Sequence, residues 1–507
     1  MLAAAVVAVG IAQLPLVYLA VRTIETARQR GIADLFTDRV PALAARSLAL
    51  AAVVTAGCVV LGVGSAFLVT RTDLPGRRVF GVLAALPLAV PSYVAAYAWV
   101  AAVHLVDPLF GFEGFWAAAL VLTLCSYPYV YLPAAAVLVG ADPAAEEVSR
   151  SLGRGSWRTF TGVTLRQLRP AVAAGGLLVA LYVLSDFGAV AILRTDTFTR
   201  AVFSYFNFGL SRPALVLATV LVALTLLLLA GETATRRRGA RYARVGGGTG
   251  RPASRLRLGA ARGPALAALA AVSALALGVP AVSLIRWFGE GVSRPGSLSE
   301  VSSATANSVG ISLAGAALTL LLALPIGLLV ARVPGPVSTV LDRLSYLPHA
   351  LPGVVIGLSL VFFGINAVPR LYQTGWLLAL AYAVLFLPLA VGAVAAAAAQ
   401  APPELEQVAR SLGRRPIAVF RTVTLPLISP GIGAAAALVF LTCMKELPAT
   451  LLLRPTGMET LATRLWRHTT VVEYAAAAPY AALLVAIAAV PTWLLVSRAG
   501  VLSKGGD

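Results

Sequence analysis

The chain has 507 residues, of which 59% are hydrophobic and only 12% charged, with a formal net charge of +19. A soluble chain would carry about twice that charged share, so long stretches must lie where charge is costly, and lipid is the simplest such place. The positive balance does not mark a nucleic-acid binder, because the basic residues are scattered between apolar runs and form no face interleaved with aromatics.

A helix needs about 20 apolar residues to cross the hydrocarbon core. In chain order the apolar runs predict spans at 2–22, 46–70, 79–104, 115–140, 171–193 and 213–231, then at 264–286, 307–331, 345–369, 376–400, 431–453 and 475–497. The expected fold class is therefore an all-α polytopic membrane protein of about 12 transmembrane helices. The run Leu2–Val21 lacks a preceding basic segment and exceeds the apolar length of a signal peptide. Its Leu14-Pro15-Leu16-Val17 resembles the internal Val279-Pro280-Ala281-Val282, so it is expected to be a retained helix. With both termini cytoplasmic, 25 of the 40 Lys and Arg residues fall in inside segments, as the positive-inside rule requires. Arg22, Arg28, Arg30, Arg39 and Arg46 resist this orientation, and a start upstream of Met1 would supply the missing basic N-terminus.

Internal repetition organises the chain. Pro143, Glu146, Val148, Arg150, Ser151, Leu152, Gly153 and Arg154 match Pro403, Glu406, Val408, Arg410, Ser411, Leu412, Gly413 and Arg414 at a constant offset of 260. The register continues through Phe160/Phe420, Val163-Thr164-Leu165/Val423-Thr424-Leu425, Pro170/Pro430, Asp186/Glu446 and Arg194/Arg454, and an offset of 261 relates Arg71 to Arg332 and Pro91 to Pro352. Six spans per copy is an even number, so the two copies enter the membrane in the same sense as parallel repeats. The expected division is a first six-helix unit at 1–234, a cytoplasmic linker at 235–263 with nine Arg and no acid, and a second unit at 264–507.

The loops 141–170 and 401–430 are the longest repeated polar segments. Each predicts a short helix, a glycine turn and a second short helix. Pro143 or Pro403 suits a first helical turn, the acids Glu146, Glu147, Glu404 and Glu406 favour a helix N-terminus, and Gly153 or Gly413 suits a left-handed stop. Such a compact cytoplasmic element, made twice, fits docking on another protein; the plainer alternative is a charged interfacial hairpin.

An acidic, small-residue helix followed by glycine and a downstream Leu-x-x-x-x-Pro resembles the EAA loop of ATP-binding-cassette importer permeases. Neither copy reads Glu-Ala-Ala literally: they read Ala145-Glu146-Glu147 and Leu405-Glu406-Gln407. Leu184-Ser185-Asp186-Phe187-Gly188 and Lys445-Glu446-Leu447-Pro448-Ala449-Thr450 carry a closer resemblance to the fused permeases of ferric-iron importers. The resemblance implies a permease in the bacterial inner membrane, with Glu146, Glu147, Ser151, Leu152, Gly153, Glu406, Ser411, Leu412 and Gly413 docking two copies of a cassette ATPase. It also implies a periplasmic binding protein that delivers ferric iron, with thiamine, polyamine or another small solute as alternatives.

No GxxxxGK[ST] loop surrounds either lysine, Lys445 or Lys504, so ATP and Mg belong to a partner subunit and this chain is expected to bind no cofactor and to be no enzyme itself. Asp186, Lys445 and Glu446 fall inside predicted spans, where ionisable groups are expensive. They are candidates for the translocation path, against packing through ion pairs or hydrogen bonds. Tyr127, Tyr129 and Tyr131 near Pro128 and Pro133 read as packing around a kink, and His104, His349 and His468 are isolated, so no metal site is expected. The three cysteines, Cys58, Cys125 and Cys443, sit inside apolar runs and give neither a disulfide framework nor a zinc pattern. The rival from another class is a secondary transporter with two parallel six-helix halves.

Overall fold

The computed structural model describes residues 1–30, 39–107, 111–140, 144–239, 256–292 and 298–498. Nine of the described helices are long and apolar enough to cross a membrane. A tenth span is a pair, Arg77–Ala89 and Ser92–Val106, bent by 101°, and two shorter apolar helices, Gly353–Asn366 and Tyr474–Ala489, complete the positions of the expected twelve. Pro87 and Pro91 explain the bend, since each lacks an N–H and disfavours helix in the residue before it. The same break recurs at Pro348 and Pro352 ahead of Gly353–Asn366.

The fifth and eleventh expected spans are displaced. They run at Phe160–Ser185 and Pro416–Met444, so they start inside the expected loops and stop before Asp186 and Lys445. The second short helix expected in each loop therefore flows into the span, through five π-helical residues at Phe160–Thr164 and Phe420–Thr424.

The chain forms two compact units. One comprises residues 38–200, 223–294 and 472–507; the other comprises 1–37, 201–222 and 295–471. Each unit thus joins the core of one repeat to flanking helices from the other half of the chain. The division expected at 234 and 264 describes the duplication, while the compact units cut across it.

In the first of these units the core gathers Arg39–Arg71, Phe115–Ser126, Pro128–Gly140 and Leu165–Ser185 around Val54, Leu122, Tyr127, Tyr131 and Val179. Tyr127 and Tyr131 are buried, and the Tyr131 hydroxyl donates to the Gly81 carbonyl at 3.1 Å, a packing role. Close approach needs a small residue here: a Cβ built on Gly175 would stand 2.7 Å from the Tyr129 carbonyl oxygen.

Residues 240–255 of the expected linker lie outside the described residues, but its last part is docked. Leu256 pairs with Thr72 in a parallel β-bridge and its N–H donates to the Arg71 carbonyl at 2.8 Å. Leu258 donates to the Asp73 carboxylate at 3.0 Å and packs with Leu74, Phe80 and Leu269.

In the other unit Leu298–Arg332 and Gly375–Gln400 make the most extensive helix pairing, with Leu425–Met444 against both and Leu2–Arg30 against Leu298–Arg332 and Gly353–Asn366.

Candidate functional site

Each unit carries one copy of the repeated loop. In the first, the helix Ala144–Ser151 ends at Gly153, whose φ of 74° is left-handed. The Gly153 N–H donates to the Arg150 carbonyl at 3.0 Å and the Arg154 N–H to the Ser149 carbonyl at 3.2 Å, which closes a Schellman stop. In the second, Pro403–Ser411 ends at Gly413 with φ 78°, closed by Gly413 to Arg410 at 2.9 Å and Arg414 to Ala409 at 3.2 Å. Pro143 lies outside the described residues, whereas Pro403 stands in the first turn of its helix as expected.

Glu146 and Glu406 do not face outward. Glu146 is 7% exposed; its carboxylate accepts from the Thr164 hydroxyl at 2.8 Å and lies 3.6 Å from Arg71 and 3.5 Å from Arg150. Glu406 is 9% exposed and pairs with Arg332 at 2.9 Å and Arg410 at 3.5 Å, while a second nitrogen of Arg332 donates to the Ala401 carbonyl at 3.0 Å. Both carboxylates, expected to dock a partner, are engaged in an internal tie. Each carboxylate binds its loop helix to the Arg that ends a long span, Arg39–Arg71 or Leu298–Arg332. A charge withdrawn from water is kept by such pairing and hydrogen bonding. Arg71 and Arg332 were read in the sequence as matched repeat positions and inside charges but not as partners of the loop acids; the signal for that role was their matched spacing at 261.

With the carboxylates turned in, the opposite helix face is left to solvent. Glu147, Ser151 and Ser411 are exposed, and Leu152 and Leu412 are 72% and 76% exposed. Val148, Leu405, Val408 and Ile417, which were missed in the sequence reading, also present large exposed apolar side chains. The two loops therefore display matching apolar knobs, Val148 with Val408 and Leu152 with Leu412, on helices anchored from behind. Ser151 and Ser411 donate to the Val148 and Val408 carbonyls at 2.9 and 2.8 Å within their own helices.

Asp186 and Glu446 stand where spans break rather than inside helices. The Ser92 hydroxyl donates to Asp186, whose other carboxylate oxygen accepts the Ala189 and Val190 N–H groups at 3.0 and 3.4 Å. This caps the short helix Gly188–Ile192. Glu446 likewise accepts the Ala449 and Thr450 N–H groups, both at 3.2 Å, ahead of Pro448–Leu453, and the Thr450 hydroxyl donates to its backbone carbonyl at 2.8 Å. Lys445 is half-buried at the C-terminus of Leu425–Met444. These hydrogen bonds give the packing alternative a concrete form.

Beyond Pro448–Leu453, Glu459 joins the Arg454 guanidinium at 2.7 Å and accepts from the Thr463 hydroxyl at 2.8 Å. Burial pushes this carboxyl upward, but the hydrogen bonds from Arg454 and Thr463 and the charges of Arg454 and Arg467 outweigh it and hold it below the ordinary Glu range. Among the described residues no three His, Cys, Asp or Glu side chains converge as a metal site.

Comparison with known proteins agrees with the doubled architecture. The family model described as binding-protein-dependent transport system inner membrane component matches twice, at residues 58–238 and 323–499. The chain is 39% identical over 487 residues to the Fe(3+)-transport system permease protein FbpB 2 of Haemophilus influenzae, covering 95% of each protein. It is 31% identical over 189 residues to the sulfate transport system permease protein CysT of Escherichia coli, covering 34% of this chain and 67% of that one. It is also 38% identical over 159 residues to the molybdenum transport system permease protein ModB of Escherichia coli, covering 28% and 69%. The two matches on one chain set aside the secondary-transporter reading. This chain belongs to the family of inner membrane components of binding-protein-dependent transport systems, and is a multi-pass permease of an ATP-binding-cassette importer.

Proposed function

We propose that this permease moves ferric iron delivered by a periplasmic binding protein, and that two copies of a cassette ATPase drive it, one docked on each loop. The observation that supports the cargo is the 39% identity to a ferric-iron permease across 95% of both chains. The sulfate and molybdenum relatives match about a third of this chain and bear on the unit rather than on the cargo. Discrimination among ferric iron, thiamine and polyamine would then belong mainly to the binding protein.

The ATPases would seat on the exposed faces of Ala144–Ser151 and Pro403–Ser411, with Leu152 and Leu412 as central apolar anchors. The buried Glu146–Arg71 and Glu406–Arg332 ties suit the loops to act as levers. A displacement imposed on a loop helix passes through a charge pair to the end of one span and through the π-helical segment to another. Both termini would face the cytoplasm together with the loops.

The test is ATP hydrolysis by the complex reconstituted in proteoliposomes. Stimulation by the binding protein loaded with ferric iron, and not by binding proteins loaded with thiamine or polyamine, is expected. Stimulation by one of the others alone would reassign the cargo while leaving the permease role intact.

A further inference from the structure

One difference between the two copies lies where a flanking helix packs against the helix after the proline break. In the unit that contains residues 1–37, Leu2–Arg30 packs against Gly353–Asn366, and Tyr18 meets Phe363 edge to face with ring centroids 5.8 Å apart. In the other unit the matching pair is the helical run from Arg262 to Val292 against Ser92–Val106. Aligning Pro15 with Pro280 puts Ser283 at the place of Tyr18, and the offset that relates Pro91 to Pro352 puts Ala102 at the place of Phe363. Both rings are thus replaced by small side chains.

A groove of about 790 Å³ lies there, lined by Trp99, Ala102, Val106, Val282, Ser283 and Arg286 among others. That volume is in the range of small-molecule sites, roughly 300–1,000 Å³. The wall is almost wholly apolar. The helix also opens into π-helical turns at Ala274–Gly278 on the groove, whereas Leu2–Arg30 is α-helical throughout.

Three polar side chains stand on this wall, Ser283, Arg286 and the acid Asp107. The Ser283 side chain is 1% exposed and its hydroxyl has no hydrogen-bond partner among the described residues, although a buried hydroxyl ordinarily finds one. Arg286, one turn further on, is exposed and forms no ion pair with a described acid. Beside them the Trp287 indole N–H donates to the Ala101 carbonyl at 3.1 Å, and Trp287, His104 and Tyr97 all pack around Tyr474. The groove runs along two apolar helical segments, with Arg286 among its lining residues.

We propose that this groove is a binding site for an anionic phospholipid. One acyl chain occupies the space that Tyr18 and Phe363 fill in the other unit, the Ser283 hydroxyl donates to an ester carbonyl, and the phosphate pairs with Arg286. An acyl chain fits the long apolar wall, and a phosphate fits a guanidinium that forms no ion pair among the described residues, with the carboxylate of Asp107 on the same wall limiting the site to one phosphate.

The experiment is native mass spectrometry of the full chain, delipidated in detergent and titrated with dioleoyl phosphatidylglycerol or dioleoyl phosphatidylcholine. The wild type is expected to take one phosphatidylglycerol several-fold more tightly than phosphatidylcholine. The double substitution Ala102→Phe with Ser283→Tyr, which copies the ring pair, should abolish that tight event. Arg286→Gln, at an exposed position that folding tolerates, should keep lipid binding but level the two headgroups. Equal binding of both lipids by the wild type, retention of detergent with no phospholipid displacing it, or unchanged phosphatidylglycerol binding in Arg286→Gln would overturn the proposal.

Discussion

Replacing Glu406 by Ala strips Arg332 of its 2.9 Å ion pair while the guanidinium remains mostly enclosed, its side chain 14% exposed. Removing one partner of a buried pair costs about 3–5 kcal/mol, because the other charge is left uncompensated. Arg332 keeps its hydrogen bond to the Ala401 carbonyl, and the pair retains some access to water. The lower end, about 3 kcal/mol, is therefore expected. The loss falls on the helix Pro403–Ser411, whose other anchors are few: Glu406 and Ala409 are its buried residues. Local opening of that helix should become more frequent by roughly a hundredfold, read as faster amide exchange over 403–411 in the detergent-solubilised chain. The double variant with Arg332→Ala should recover part of the loss, since it removes the orphaned charge as well. Exchange in Glu406→Ala as slow as in the wild type would refute the internal tie.

Other consequences follow from the same geometry. Leu152→Asp or Leu412→Asp should weaken ATPase binding by about tenfold or more at the altered loop, because a buried Leu contributes about 1.5–3 kcal/mol, while the permease itself stays as stable as before; titration of the ATPase onto the purified permease reads both. Asp186→Ala and Glu446→Ala should each lower stability by about 1–3 kcal/mol through unsatisfied N–H groups, whereas Asp186→Asn and Glu446→Gln keep an acceptor and should assemble and transport. Transport lost in the amide variants with assembly intact would favour the path reading of these residues over the packing one. Glu459 is depressed, so its stabilisation is present above the unfolded Glu value near 4.3 and is lost as pH falls through the lower folded value. Glu459→Gln should flatten that acid limb in thermal melts.

The duplication, the loop helices and their glycine stops were legible because each leaves a local mark: a constant offset, an acidic first turn, a residue that tolerates positive φ. The direction of Glu146 was not, since it depends on Arg71, which precedes it by 75 positions and reads in isolation as one more cytoplasmic cation. The ends of the fifth and eleventh spans were hidden for a different reason. Apolar residues continue through Phe187–Leu193 and Leu447–Leu453, so hydropathy sees no boundary, and the break is made by carboxylates that take over the next N–H groups. The exchange of flanking helices between repeats leaves no periodic signal at all. It rests on which lipid-compatible faces fit, as Tyr18 fits Phe363, and van der Waals complementarity of that kind is written in shape rather than in hydropathy.

In the proposed function, duplication gives one chain two equivalent docking loops. The most direct measurement is the mass of the intact complex of this chain with its ATPase, for the wild type and for Leu412→Asp. Two ATPase copies on one permease, falling to one when a single loop is altered, is the predicted result. One copy on the wild type, or two copies retained when Leu152→Asp and Leu412→Asp are combined, would contradict it.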